Sequence, residues 1–227
     1  MMNQIVNYLD ELFPHPKCEL NYTKDYELLL AVMLSAQTTD KRVNEVTYKL
    51  FNKYNSLELL SSADIEDIKS IIRPIGTFNK KALNIINIAS FLLEKSEGKV
   101  INDRSFLESM PGVGRKTANV VLSILFDEPY IAVDTHVSRV SKRLGIANKN
   151  DDVLTIEKKL YKYFSNCNFQ KLHHQLVFFG RYHCKAINPK CESCKLKDIC
   201  KEKKHWNKCF FNCFQYYFHC YQYYHQD

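Results

Sequence analysis

Apolar residues recur at three- and four-residue spacing almost from one end of this 227-residue chain to the other. No stretch sustains the period-two alternation of a half-buried strand. Helices packed on helices are the architecture that satisfies such a pattern. Ile5, Leu9, Leu12 and Phe13 mark a first helix, and residues 28–34 are apolar on every side, as in a buried central helix. Val43, Val46, Leu50, Phe51 and Tyr54 mark another, with Asp40 as its expected N-cap. Ala82, Ile85, Ile86, Ala89, Leu92 and Leu93 form a further stripe. Ala118, Val121, Leu122 and Leu125 follow a glycine turn, and Val137, Val140 and Leu144 follow Asp134, a second expected cap. Ile156, Leu160 and Phe164, then Leu172, Leu176 and Phe179, complete the series. The expected fold class is all-α.

The chain is long enough for one or two domains with a sizeable core. Its formal charge is +7, from 32 basic and 25 acidic residues. That excess suits a polyanionic partner without proving one. The first residues lack a basic stretch followed by an apolar run, so no signal peptide is expected. The longest apolar stretch is too short to span a bilayer. Nine cysteines in such a chain argue against a disulfide framework.

Pro111-Gly112-Val113-Gly114 reads as a tight turn between two helical patterns. Glycine lets bare backbone N–H groups approach a partner that a side chain would hold off. A helix beginning near Arg115 adds its unpaired first-turn N–H groups and the positive end of its dipole. Such a place holds a phosphate. Lys116 lies on the first turn, as a phosphate contact or a nucleophile.

Cys184, Cys191, Cys194 and Cys200 crowd into 17 residues with the spacing C-x6-C-x2-C-x5-C. Four thiolates so arranged fit either a tetrahedral zinc or a [4Fe–4S] cluster, and the spacing alone favours neither. Lys185, Lys190, Lys195 and Lys197 are interleaved with them, which suits phosphate contact without base specificity. Cys18 and Cys167 read as ordinary thiols. Residues 205–227 differ in kind: ten of the 23 are Trp, Tyr or Phe, three are Cys, and Lys208 balances Asp227. The segment has no clear period and reads as an appended low-complexity tail.

Taken in order, Leu34-Ser35-Ala36-Gln37-Thr38-Thr39-Asp40, the turn from Met110 to Ala118, Ala132-Val133-Asp134-Thr135-His136 and the cysteine loop resemble the endonuclease III family of helix-hairpin-helix DNA glycosylases. The likeness runs from about residue 3 to residue 204. It implies a six-helix barrel over residues 18–128 and a cluster-bearing lobe of 1–17 with 129–204, with DNA in a cleft between them. It implies a [4Fe–4S] cluster on the four cysteines. It implies that Lys116 is the nucleophile, that Asp134 is the catalytic carboxylate, and that Gln37 fills the gap left by an extruded base. Gly112, Val113, Gly114, Arg115, Lys185 and Lys190 would contact DNA. Thr77 departs from the bulky apolar residue usual at the family's wedge position, with Phe78 or Ile75 as substitutes.

The chemistry fits these residue types. Breaking an N-glycosidic bond builds positive charge on the deoxyribose, which a carboxylate such as Asp134 stabilises. A lysine attacks only as the free amine, and the reference lysine pKa of about 10.4 leaves little of it at neutral pH. Burial and a helix N-terminus both disfavour the charged form. Attack at C1′ would leave a Schiff base, which opens the way to β-elimination. The target base must first leave the duplex. His136 reads as a helix-end hydrogen-bonding residue.

The expected function is therefore a bifunctional glycosylase and abasic-site lyase acting on oxidised pyrimidines in double-stranded DNA. The protein would work as a monomer inside the cell, where DNA is. A monofunctional mismatch glycosylase and a non-catalytic DNA-binding module are the competing readings. Retention of both Lys116 and Asp134 counts against the second of these.

Overall fold

The computed structural model describes residues 1–202, so the expectations for the 205–227 tail lie outside the described residues. All regular structure among the described residues is helical. In chain order the helices are α1 (Met2–Leu12), α2 (Asp25–Leu34), α3 (Asp40–Lys53), α4 (Leu57–Ser61), α5 (Ile65–Ile72), α6 (Phe78–Ser96), α7 (Arg104–Glu108), α8 (Arg115–Phe126), α9 (Thr135–Arg143), α10 (Val153–Tyr163) and α11 (Phe169–Phe178). No helix among them is long and apolar enough to cross a membrane. Two compact units result among the described residues: Lys17–Ala132, and Met1–Pro16 joined by residues 133–202.

In the unit Lys17–Ala132, α2 is the axis. Every residue of it after Asp25 is buried, so its apolar surface points all ways at once. Around it pack α3, α6 and α8. They bring one-sided stripes: Val43, Val46 and Leu50; Ile85, Ile88 and Leu92; Ala118, Val121 and Leu122. Burying one such leucine or isoleucine contributes about 1.5–3 kcal/mol, and this layer sets the positions of the loops it carries. The short α4 and α5 close over α6. The periodicity had not marked α4, α5 or α7.

Helix starts in this unit are fixed locally. Ser56, Asp64 and Asp103 each accept a hydrogen bond from a first-turn backbone N–H. Asp40, expected to cap α3, is instead its first helical residue; the cap is Thr39, whose hydroxyl accepts from Arg42 N at 3.4 Å. Asp40 still suits the positive end of the helix.

The unit of Met1–Pro16 and residues 133–202 gathers α9, α10 and α11, with α1 against α11. Phe164 and Phe179 are its largest fully buried side chains. Asp152 and Asn168 cap α10 and α11 through Thr155 N and Lys171 N, each at 2.8 Å. The chain then tightens into a π-helical turn, Phe179–His183, lying close against α9. A Cβ on Gly180 would stand 2.7 Å from the Cβ of His136, so only glycine allows this approach. Helix α1 holds the cysteine loop: Tyr8 donates to Ser193 O at 3.1 Å, and Lys195 pairs with Glu11 at 2.6 Å.

The turn joining α7 to α8 is anchored by Met110 and Val113, which are buried. Val113 N closes on Met110 O at 3.1 Å. Its two glycines serve different ends. Gly112 has φ +82, and an added Cβ would lie 2.2 Å from Nδ2 of Asn84, a buried residue of α6. Gly114 has ordinary extended backbone, and a Cβ there would meet nothing within 4 Å. The fold therefore requires Gly112, whereas space outside Gly114 is open. Gly112→Ala is expected to cost about 1–3 kcal/mol, from left-handed backbone and collision together. Gly114→Ala is expected to stay within about 1 kcal/mol of the parent. Urea unfolding followed by circular dichroism checks both, and equal stability of the two variants would contradict the steric assignment.

Candidate active site

Helix α8 begins at Arg115, directly after Gly114 as its N-cap, and no side chain caps it. The space outside Gly114, at the head of that turn, is open. Lys116 lies in that turn and is exposed, as are Gly112, Gly114 and Arg115. Val113 is different. Its side chain is in the core, so only its backbone is available to a partner. The turn thus gathers a primary amine, a guanidinium and two unshielded glycines on one short segment.

Gln37 lies in the same unit, on the loop between α2 and α3, and is exposed. Its φ is +58, a left-handed backbone that a non-glycine residue adopts only at a cost. Beneath the loop is Lys81 of α6, only 4% exposed. Its ammonium donates to Leu34 O at 2.9 Å, to Ala36 O at 2.7 Å and to Thr38 Oγ1 at 3.4 Å. Burial pulls its pKa below the usual lysine value. Thr77, also left-handed with φ +55, precedes α6 and is exposed. Of the two substitutes considered for it, Ile75 is buried and cannot serve; Phe78 is half-buried.

Asp134 lies in the other unit. It is half-buried at the start of α9, and its Oδ1 accepts from Val137 N at 2.7 Å, which makes it the N-cap. The second carboxylate oxygen remains for other work. Asn119, on α8 and buried, donates to Ile131 O at 3.4 Å and so steadies the segment that leads toward Asp134. His136 meets Arg139 through Nδ1 at 3.2 Å, in keeping with a hydrogen-bonding residue at the helix end.

The four cysteines are all half-buried, and none of them is in a disulfide. They line one small cavity of about 30 Å³, together with Arg143, Phe179 and Leu196. Among the described residues no three His, Cys, Asp or Glu side chains are grouped so as to hold a single metal ion. Burial, then the charges of the other three thiols, push Cys194 up to about 11 against a backbone hydrogen bond from Leu196. Two arginines of α9 fasten the first cysteine: Arg139 donates to Cys184 O at 3.2 Å and Gly180 O at 2.7 Å, and Arg143 reaches Cys184 Sγ at 3.3 Å. Lys185 and Lys190 are exposed on the loop between the first two cysteines.

Lys81, Asn119, Arg139 and Arg143 were not among the residues expected from the sequence. A signal existed for Lys81, which falls in register with Ile85, Ile88 and Leu92 on the buried stripe of α6. None marked the arginines, which reach Gly180, Cys184 and Lys185 some 40 residues away.

Residues 30–166 match the model of the HhH-GPD superfamily base excision DNA repair protein. Endonuclease III of Bacillus subtilis is 46% identical over 200 residues, spanning 88% of this chain and 91% of the relative. Endonuclease III of Escherichia coli is 45% identical over 201 residues, spanning 88% and 95%. Among solved structures, a trapped endonuclease III–DNA covalent intermediate in an estranged-adenine complex superposes with a TM-score of 0.86 at 46% identity, covering 90% of this chain and 98% of that one. Motif order, helical architecture and similarity along nearly nine-tenths of the chain agree: it belongs to the endonuclease III family of the HhH-GPD superfamily.

Proposed function

We propose that the protein is a bifunctional DNA glycosylase and abasic-site lyase of base excision repair, acting on duplex DNA with oxidised pyrimidines. The observation that carries this is Lys116: an exposed primary amine on the first turn of α8, beside a glycine N-cap with open space outside it. A phosphate settles on such a turn through backbone N–H groups, with Arg115 and Lys116 supplying charge. A backbone held there brings its sugar to the lysine.

The damaged base leaves the stack, and Gln37 occupies the space it vacates. The neutral amine of Lys116 attacks C1′. The bond from C1′ to the base nitrogen breaks, and the base departs with the electron pair and takes up a proton. Asp134, with one oxygen engaged by Val137 N, stabilises the positive charge that develops on the sugar and assists loss of the amine proton. Opening of the sugar ring leaves a Schiff base on Lys116. The imine draws electrons from C2′, which loses a proton as the bond from C3′ to oxygen breaks and the 3′ phosphate leaves. Water finally releases the enzyme.

The cysteine loop fits a [4Fe–4S] cluster held by Cys184, Cys191, Cys194 and Cys200. Four thiols lining one cavity, in the C-x6-C-x2-C-x5-C spacing that resembles the family's cluster loop, support this reading. When bound, such a cluster would supply a cross-link among the four cysteines that hold it. Lys185 and Lys190 then contribute phosphate contacts from a loop it has stiffened.

Lys116→Gln is expected to abolish base removal and strand nicking while DNA binding persists; nicking at the parental rate would assign the chemistry to another amine. Asp134→Asn is expected to slow base removal by on the order of 100-fold or more. Asparagine caps a helix as well as aspartate, so melting should not change. Near-normal turnover would reduce Asp134 to a cap. Protein purified without oxygen is expected to be brown, with about four irons per chain. Cys184→Ser should lose iron and melt earlier; stoichiometric zinc and no iron in protein made with iron in supply would contradict the cluster assignment.

A further inference from the structure

A buried lysine needs a reason. Lys81 occupies the stripe of α6 that otherwise holds Ile85, Ile88 and Leu92, and its desolvated ammonium is costly unless every donor finds an acceptor. It finds three, all neutral oxygens: Leu34 O, Ala36 O and Thr38 Oγ1. An ammonium has three N–H donors, so the set is complete. Leu34 is the last residue of α2, where carbonyls lack helical partners and the helix dipole favours a cation.

The other two acceptors lie on either side of Gln37. That residue is left-handed and exposed, and glutamine lacks the short side chain with which asparagine eases this conformation. Strain of this kind persists only where the surroundings hold it. The same α6 begins at a second exposed left-handed residue, Thr77, whose carbonyl accepts from Lys81 N at 3.1 Å. One residue therefore touches both strained loops, through its side chain and through its backbone.

We propose that Lys81 is the positioning residue for base extrusion: it fixes Gln37 in its left-handed conformation, in register with the Thr77 loop, before the duplex is entered. This rests on the glycosylase reading above. It places the effect of Lys81 on one step. Extruding an intact damaged base depends on a preformed filling residue. A site that has already lost its base opens at less cost, so β-elimination there depends on Lys81 far less.

The test is single-turnover kinetics of Lys81→Met on two duplexes, one with an oxidised pyrimidine and one with a preformed abasic site. Base removal is expected to fall by on the order of 10–100-fold, as for other small misplacements of a binding group. Abasic-site nicking should stay within about threefold, and in a Gln37→Ala background the same substitution should cost less than about threefold, since coupled residues are not additive. Equal losses on both duplexes, no loss on either, or an undiminished effect without Gln37 would each overturn the proposal. If Lys81→Met does not fold, Lys81→Gln carries the test; failure of both makes Lys81 a purely structural residue and also overturns it. A parent protein inactive on both duplexes would instead remove the glycosylase reading itself.

Discussion

Gly112 is left-handed, with φ +82, and packs against the buried side chain of Asn84, so a glycine at this position sets the hairpin. With Gly112 left-handed, the turn folds back, Met110 and Val113 point into the core, and Gly114 is left bare at the head of α8. Lys116 owes its place to that sequence of constraints. A larger residue at position 112 would have to displace Asn84 or open the turn. The amine would then lose its fixed relation to the first-turn backbone N–H groups of α8.

Helix α6 is the common support of three loops. Its N-cap is Thr77, Lys81 braces the Gln37 loop, and Asn84 underlies the hairpin. These residues lie within two turns of one helix, whose apolar stripe is locked against the rest of its unit. Polar groups buried at this expense make sense where geometry must be held to a fraction of an ångström. The other unit is arranged by the same logic. Arg139 and Arg143 project from the helix that Asp134 caps and grip the backbone and sulfur of Cys184, so one helix carries both the carboxylate and the grip on the cysteine loop.

The helical architecture was legible because apolar spacing persists over long helices such as α3, α6 and α8. The five-residue α4 and α7 and the eight-residue α5 escaped, since each is too short to repeat a pattern. The cap of α3 was misplaced by one residue because Thr39 and Asp40 are both good caps and the choice depends on backbone angles. The glycine turn and the cysteine spacing stand out in the sequence because their chemistry is local. Contacts made across 40 or more residues, such as Lys81 with Ala36 or Arg139 with Gly180, leave no local trace. The left-handed Gln37 is likewise invisible from sequence, since nothing about glutamine favours that conformation.

The central claim is that one particular amine forms the covalent bond. The chain offers others: Lys81, buried with its donors occupied, and lysines exposed over both units. Borohydride reduction of a reaction on an oxidised-pyrimidine duplex, followed by proteolysis and mass spectrometry, identifies which lysine carries the sugar. The account predicts the adduct on the peptide containing Lys116 and nowhere else. An adduct on any other amine, or base release without any adduct, would contradict it.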